Sequence, residues 1–207
     1  MTDRYSCGLL GEVPRLREFS IDKATDQAME LFWAQGYNGT STRDLEGALG
    51  IGAGSLYAAF GSKDALFVAA LERYVERWKP LAVAMRDGVA AGAPVKDSVR
   101  EFFATVRRSI SAENHNGCLL VKAVMERGGQ DPDVNAVVHR LMTGLESVLI
   151  EVIARGQERG EIGSKRAPQD LARFLLMSMH GLRVLRLVHP DPTATDAAFE
   201  VALSCLD

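Results

Sequence analysis

The chain is poor in aromatic residues, which make up 7% of its 207 residues, and it holds only three cysteines. The first shortage disfavours a β-sandwich. Leu and Ala are abundant instead, and they lose little on entering a helix but pack poorly as strands. Cys7, Cys118 and Cys205 are too few and too scattered for a disulfide framework, which fits a reducing, cytoplasmic setting. Long uncharged apolar runs are also missing. The most apolar stretch, Phe174 to Val188, is interrupted by His180, Arg183 and Arg186, so no membrane partner is expected. The opening residues lack a sustained apolar segment, which argues against secretion. A basic excess is absent too. The net charge is −3, and residues 1–70 hold six Lys/Arg against nine Asp/Glu. A nucleic-acid reading therefore cannot rest on net charge and must rest on a few well-placed cations.

Helical periodicity is what the sequence has in quantity. Ile21, Ala24, Ala28, Leu31 and Phe32 share one helix face. Ser20 suits its N-cap, Asp22 its first turn, and Gly36 its stop. Thr40 or Ser41 suits the N-cap of a short second helix ending at Leu49. Gly50 to Gly54 form a tight turn, and Ser55 to Phe60 a third helix. A fourth begins after Gly61-Ser62 and runs through Pro80 towards Arg86, with a kink or stop near the proline. Beyond a hinge at 88–94, the pattern predicts helices over 95–112, 118–127, from Pro132 to Gly160, 168–189 and 194–206. The expected fold is all-α. Residues 1–19 read as a loose arm, 20–67 as one domain and 68–207 as a second, helical one.

Two short helices joined by a glycine turn and packed on a first helix make a helix-turn-helix, whose last helix enters the major groove. The run Gly36-Tyr37, Thr40, Thr42, Leu45, Leu49-Gly50-Ile51, Gly54-Ser55-Leu56-Tyr57, Phe60, Ser62-Lys63 and Leu66 resembles the signature of TetR-family regulators over about residues 20–67. The segment Asn116-Gly117-Cys118-Leu119-Leu120, followed by Glu126, resembles one branch of that family. The resemblance implies core roles for Leu45, Leu49, Leu56 and Phe60. It implies phosphate contacts from Thr40, Ser41, Thr42, Tyr57 and Lys63, and places Arg43 and Ser55 nearest to base edges. Each has a plainer alternative: Tyr57 as packing, Lys63 as a solvated cation, Arg43 paired with Asp44 or Glu46. The reading helix exposes Gly52, Ala53, Gly54, Ser55, Ala58 and Ala59. Readout would then use thymine methyl contacts and close backbone approach, with Arg15 and Arg17 of the arm adding contacts.

The same resemblance implies a homodimer in which the last two helices of each chain form a four-helix interface. The second domain is expected to bind a small apolar or amphipathic effector and to dimerise. Candidate lining residues are Tyr74, Trp78, Phe102, Phe103, Cys118, Met125, Leu141, Phe174, Met177 and His180, each of which could equally be ordinary core. Leu175, Leu182, Leu185, Phe199 and Leu203 are the candidate dimer contacts. Cys118 sits at a helix start, where the dipole can lower a thiol pKa, with Lys122 one turn on, so it reads either as a small buried hydrophobe or as a redox or electrophile sensor. The histidines at 115, 139, 180 and 189 lack metal-ligand spacing. No nucleophile–base pair is recognisable, and Gly50 to Gly54 follow a helix rather than a strand, against a dinucleotide loop. No cofactor is expected. The resulting expectation is a ligand-responsive repressor on a palindromic double-stranded operator. The rivals are a helical small-molecule carrier with vestigial DNA binding, favoured by the acidic first domain, and a helical enzyme.

Overall fold

The computed structural model describes residues 20–108, 116–129, 131–163, 165–188 and 192–207. The arm with Cys7, Arg15 and Arg17, and also His115 and His189, lie outside the described residues. Among these residues all regular structure is helical: α1 (Ile21–Gln35), α2 (Thr42–Leu49), α3 (Ala53–Phe60), α4 (Lys63–Ala90), α5 (Val95–Arg108), α6 (Leu119–Arg127), α7 (Pro132–Glu158), α8 (Pro168–Val188) and α9 (Pro192–Leu203), with a closing 3₁₀ turn at Ser204–Leu206.

Local chemistry sets the helix ends. The Ser20 hydroxyl accepts from Lys23 N. Ser41 and Asp44 form a reciprocal capping box on α2, satisfying two amides that the helix itself cannot. Gly50 takes a left-handed conformation, φ +67°, and turns the chain from α2 into α3. Asp131 caps α7, with Pro132 in its first turn. Two sequence expectations need correction. α3 starts two residues earlier, at Ala53, and α4 continues past Pro80 to Ala90. Proline costs most where it removes an internal hydrogen bond, but tertiary packing on both sides of Pro80 holds this long helix.

Two apolar cores organise the chain. One gathers Phe32, Trp33, Leu45, Leu56, Phe67, Leu71 and Tyr74 with Leu119, Ala123 and Val138. The other gathers Met85, Val89, Val99, Phe102 and Phe103 with Leu149, Ile153, Leu175, Phe199 and Leu203. α4 therefore crosses the expected boundary at residue 67, and α6 packs into the first core although it is distant in sequence. Leu175, Phe199 and Leu203 lie inside one chain's own core, so they are not free to make a dimer. The exposed apolar residues of α8 are instead Phe174, Met177, Val184, Leu185 and Val188, with Leu187 exposed off this line beside Gly117. With Gly181 they recur at helical spacing as one stripe.

Candidate functional site

The reading head is α2–α3. Ser41, Arg43 and Ser55 are exposed, Thr42 is half-buried, and Tyr57 is 45% exposed. The Thr42 and Tyr57 hydroxyls lie 3.5 Å apart, which brings the α2 start and the α3 surface together. No ion pair engages Arg43 among the described residues. One of its two candidate partners, Asp44, has its carboxylate held by Ser41 instead. Thr40 differs from the expectation. It is fully buried, and its hydroxyl donates to Gly36 O at 2.7 Å. Lys63 is also turned inward, donating to Tyr37 O at 2.7 Å and lying over the Tyr37 ring at 4.0 Å. Burial lowers its pKa. Tyr37 in turn donates to Asp64, and burial followed by this bond raises its pKa to about 12.

The acidic balance of the first domain has a structural cause. Arg73 binds Asp26 through two bonds, of 2.6 and 2.8 Å, and Arg77 binds Glu30 at 2.8 Å. Arg127 reaches Asp64 at 3.1 Å. These partners all lie beyond residue 70. The acids of α1 thus face α4 rather than the reading head, and they are neutralised there.

Behind the head, α6 ties it to the rest. Trp33 Nε1 donates to Gly117 O at 3.0 Å. Lys122 Nζ donates to the Trp33 and Ala34 carbonyls at the end of α1, where a cation suits the helix dipole. The Glu126 carboxylate accepts from Asn38 N at 2.8 Å and lies against Gly36, whose φ of +77° and missing Cβ leave the room. Arg127 stacks over Tyr37 at 4.4 Å. The sequence assigns Glu126 no role, because nothing local shows that it reaches back to residue 38.

The other end of α6 opens on a cavity of about 580 Å³ between α4, α5, α6, α7 and α8. Of the ten candidate residues, Tyr74, Trp78, Phe102, Cys118, Leu141, Met177 and His180 line it. Met177 sits at its rim, being 68% exposed. Three candidates are elsewhere. Met125 is 81% exposed on the outer face of α6, Phe174 belongs to the exposed α8 stripe, and Phe103 stacks on Phe199 in the second core. The sequence reading missed Arg183, counting it only as a break in an apolar run. It is 5% exposed, donates to Tyr74 OH at 3.3 Å and lies 5.6 Å from the Trp78 ring centre. The signal was present: Ala172, Leu175, Leu176, Met179 and Arg183 share a helix face, so this arginine continues a buried stripe.

Cys118 is the N-cap of α6. Burial pushes its thiol up, but a hydrogen bond from His180 and the charge of Arg183 outweigh that and bring it down to about 6. Lys122 plays no part in this, as its ammonium points to α1. Burial above all raises the pKa of neighbouring Tyr74.

A helix-turn-helix head joined through one helix to a cavity open at one side defines a two-part DNA-binding regulator. The model described as "Bacterial regulatory proteins, tetR family" matches residues 24–70, and that described as "Tetracyclin repressor-like, C-terminal domain" matches 95–202. The uncharacterized HTH-type transcriptional regulator YezE of Bacillus subtilis is 31% identical over 93% of this chain and 99% of its own. The HTH-type transcriptional repressor ComR of Escherichia coli is 30% identical over 82% of this chain and 80% of its own. A cysteine-substituted form of the TetR-family regulator CifR, solved with 26-base-pair operator DNA, is 31% identical, covers 93% of this chain and 98% of its own, and superposes with a TM-score of 0.70. The chain belongs to the TetR family of transcriptional regulators.

Proposed function

We propose that the protein is a dimeric repressor that binds a palindromic operator and leaves it when a small apolar or amphipathic effector enters the cavity. The observation that carries this reading is the double attachment of α6. Cys118 at its start lines the cavity, while Lys122 and Glu126 hold the end of α1 and the turn into α2. An effector that binds better to one position of α6 shifts the population of reading-head orientations by its differential affinity. Thr42, Arg43, Ser55 and Tyr57 form the contact surface, with phosphates approached at the α2 N-terminus. Lys63, seated on Tyr37, supports that surface and adds charge beside it. Repressor names among the relatives, and operator DNA on CifR, support the DNA half of the reading.

The dimer is assigned to the α8 stripe, because a contiguous exposed apolar face marks an interaction surface and a two-fold pair makes it self-complementary. Footprinting of the full chain on its upstream DNA, together with light scattering of Val184→Glu, tests both parts. The expected results are inverted-repeat protection by the wild type, and a monomer or aggregate without that protection for Val184→Glu. A single asymmetric footprint, or a soluble Val184→Glu dimer with normal affinity, overturns the reading.

A further inference from the structure

The floor of the cavity carries polar groups left unsatisfied among the described residues. Trp78 Nε1, His180 Nδ1 and Arg183 Nε are all buried and find no hydrogen-bond partner among them, although buried polar groups are normally paired. They belong to one cluster, since Arg183 touches Tyr74 OH and lies over Trp78. The arginine cannot shed its charge, and no carboxylate of the chain pairs with it among the described residues. Acidic residues on the cavity wall are already engaged, Glu76 with Lys79 at 3.1 Å and Glu146 with Arg173 at 2.8 Å. The titratable acids at the floor, among the described residues, are the Tyr74 phenol, held protonated by burial, and the Cys118 thiol, whose thiolate is the one internal anion an effector would have to compete with for Arg183. Around this cluster the wall is largely apolar, with Phe102, Leu120, Met142, Leu145 and Leu176, while the charged lining residues Lys79, Arg86, Arg140 and Arg173 are each paired with an acid of the chain.

Resting on the effector reading above, we infer that the effector is an amphipathic carboxylic acid, whose carboxylate is held by Arg183 with Trp78 and whose hydrocarbon body fills the cavity. A planar carboxylate matches the guanidinium fork, and a charge-assisted bond in a dry site is about twice as strong as a neutral one. It would satisfy Arg183 Nε, which a hydrocarbon would leave bare. A neutral ligand of the same shape would keep that buried donor unpaired, a loss that sites built for a polar group penalise heavily. A cationic ligand would meet Arg183 at close range and be excluded.

The test uses calorimetric titration of the full chain with decanoate, 1-decanol and decyltrimethylammonium, probes that share one hydrocarbon length. The wild type is expected to bind decanoate roughly tenfold or more tightly than decanol, on the scale of one charge-assisted bond, and not to bind the cation. In Arg183→Met the preference for decanoate over decanol falls to about one, while decanol binding persists and reports an intact cavity. In Arg183→Lys, which keeps a cation without the fork, the preference is intermediate. Equal wild-type affinities for decanoate and decanol overturn this inference and leave the effector reading standing. A decanoate preference unchanged in Arg183→Met overturns it as well. Failure of all three probes to bind overturns both readings together.

Discussion

The contact of α6 with the reading head and the contact of α6 with the cavity are made by one nine-residue helix, yet they differ in how completely polar groups are paired. At the head, Trp33 Nε1, Lys122, Glu126 and Asn38 N all find partners, and among the described residues Arg127 Nε is left without one. At the cavity, Trp78, His180 and Arg183 each keep an atom with no partner among the described residues. A fully paired contact is rigid, because each shift breaks a bond that water cannot replace. An incompletely paired one is poised to change when something enters. The difference teaches where signal starts and where it is transmitted: the cavity end can be altered by a ligand, and the head end must follow as a body.

Breaking the packed side of this comparison should have the largest effect. Phe32 is fully buried and sits 4.9 Å from the Phe67 ring. Phe32→Ala removes a core ring at a cost of roughly 3–5 kcal/mol, which thermal denaturation would register as a large drop in Tm. A shift below that of an exposed alanine substitution would contradict the assigned core. Next comes Gly36→Ala, expected to cost about 1–3 kcal/mol from strain at positive φ. Its new Cβ also displaces the Glu126 carboxylate, so Asn38 N loses its acceptor. The effector should then release DNA less completely from this variant in a gel-shift titration. Because the collision is with Glu126, pairing Gly36→Ala with Glu126→Ala should be less costly than the sum of the two, a coupling that a double-mutant cycle measures.

Much of the head was legible because its determinants are local. The caps and the Gly36 and Gly50 turns lie within a few residues of what they control, so spacing places three helices, although it leaves the α2 cap open between Thr40 and Ser41 and starts α3 two residues late. Charge was misleading for the opposite reason. Asp26 and Glu30 find Arg73 and Arg77 across the packed α1–α4 pair, and a count confined to residues 1–70 saw the acids without their cations. Lys63 is expected from sequence as a phosphate contact, but its bond to the Tyr37 carbonyl depends on how α4 leaves α3, which spacing does not show. The cavity was half legible. Seven of the ten proposed lining residues face it. Met125, Phe174 and Phe103 fall away because helix rotation and depth, rather than apolar character, decide which of several apolar residues faces a hollow. For α8 the same ambiguity exchanged Leu175, taken for a dimer contact, with Val184, which lies on the exposed stripe.

The smallest predicted effect concerns the stability of the cavity floor, and its sign depends on pH. Cys118 has a folded-state pKa lowered from 9.0 to about 6. A group with a depressed folded pKa contributes stability that is fully present above the unfolded value and is lost as pH falls through the folded one. The contribution is therefore largest near pH 9 and gone below about pH 6. Arg183 is one of its two main sources, with the hydrogen bond from His180 the other. At high pH, Arg183→Met removes the cation that faces a thiolate, so the variant should melt below the wild type. At pH 5.5 the thiol is protonated, and the arginine stands buried with no anion opposite it. Replacing a buried, unpaired charge by an apolar side chain of similar length is then neutral or favourable. The Tm difference between wild type and Arg183→Met should accordingly shrink or reverse from pH 9 to pH 5.5, by a few degrees at about 2–4 °C per kcal/mol for a chain of this size. His180 and Tyr74 share the floor, so the same scan on Cys118→Ser isolates the thiol: with no group titrating at that position, the pH dependence of the Arg183→Met effect should disappear. If the Tm difference is constant across this range in the Cys118 protein, the thiol is not paired with Arg183, and the floor holds no internal anion at any pH.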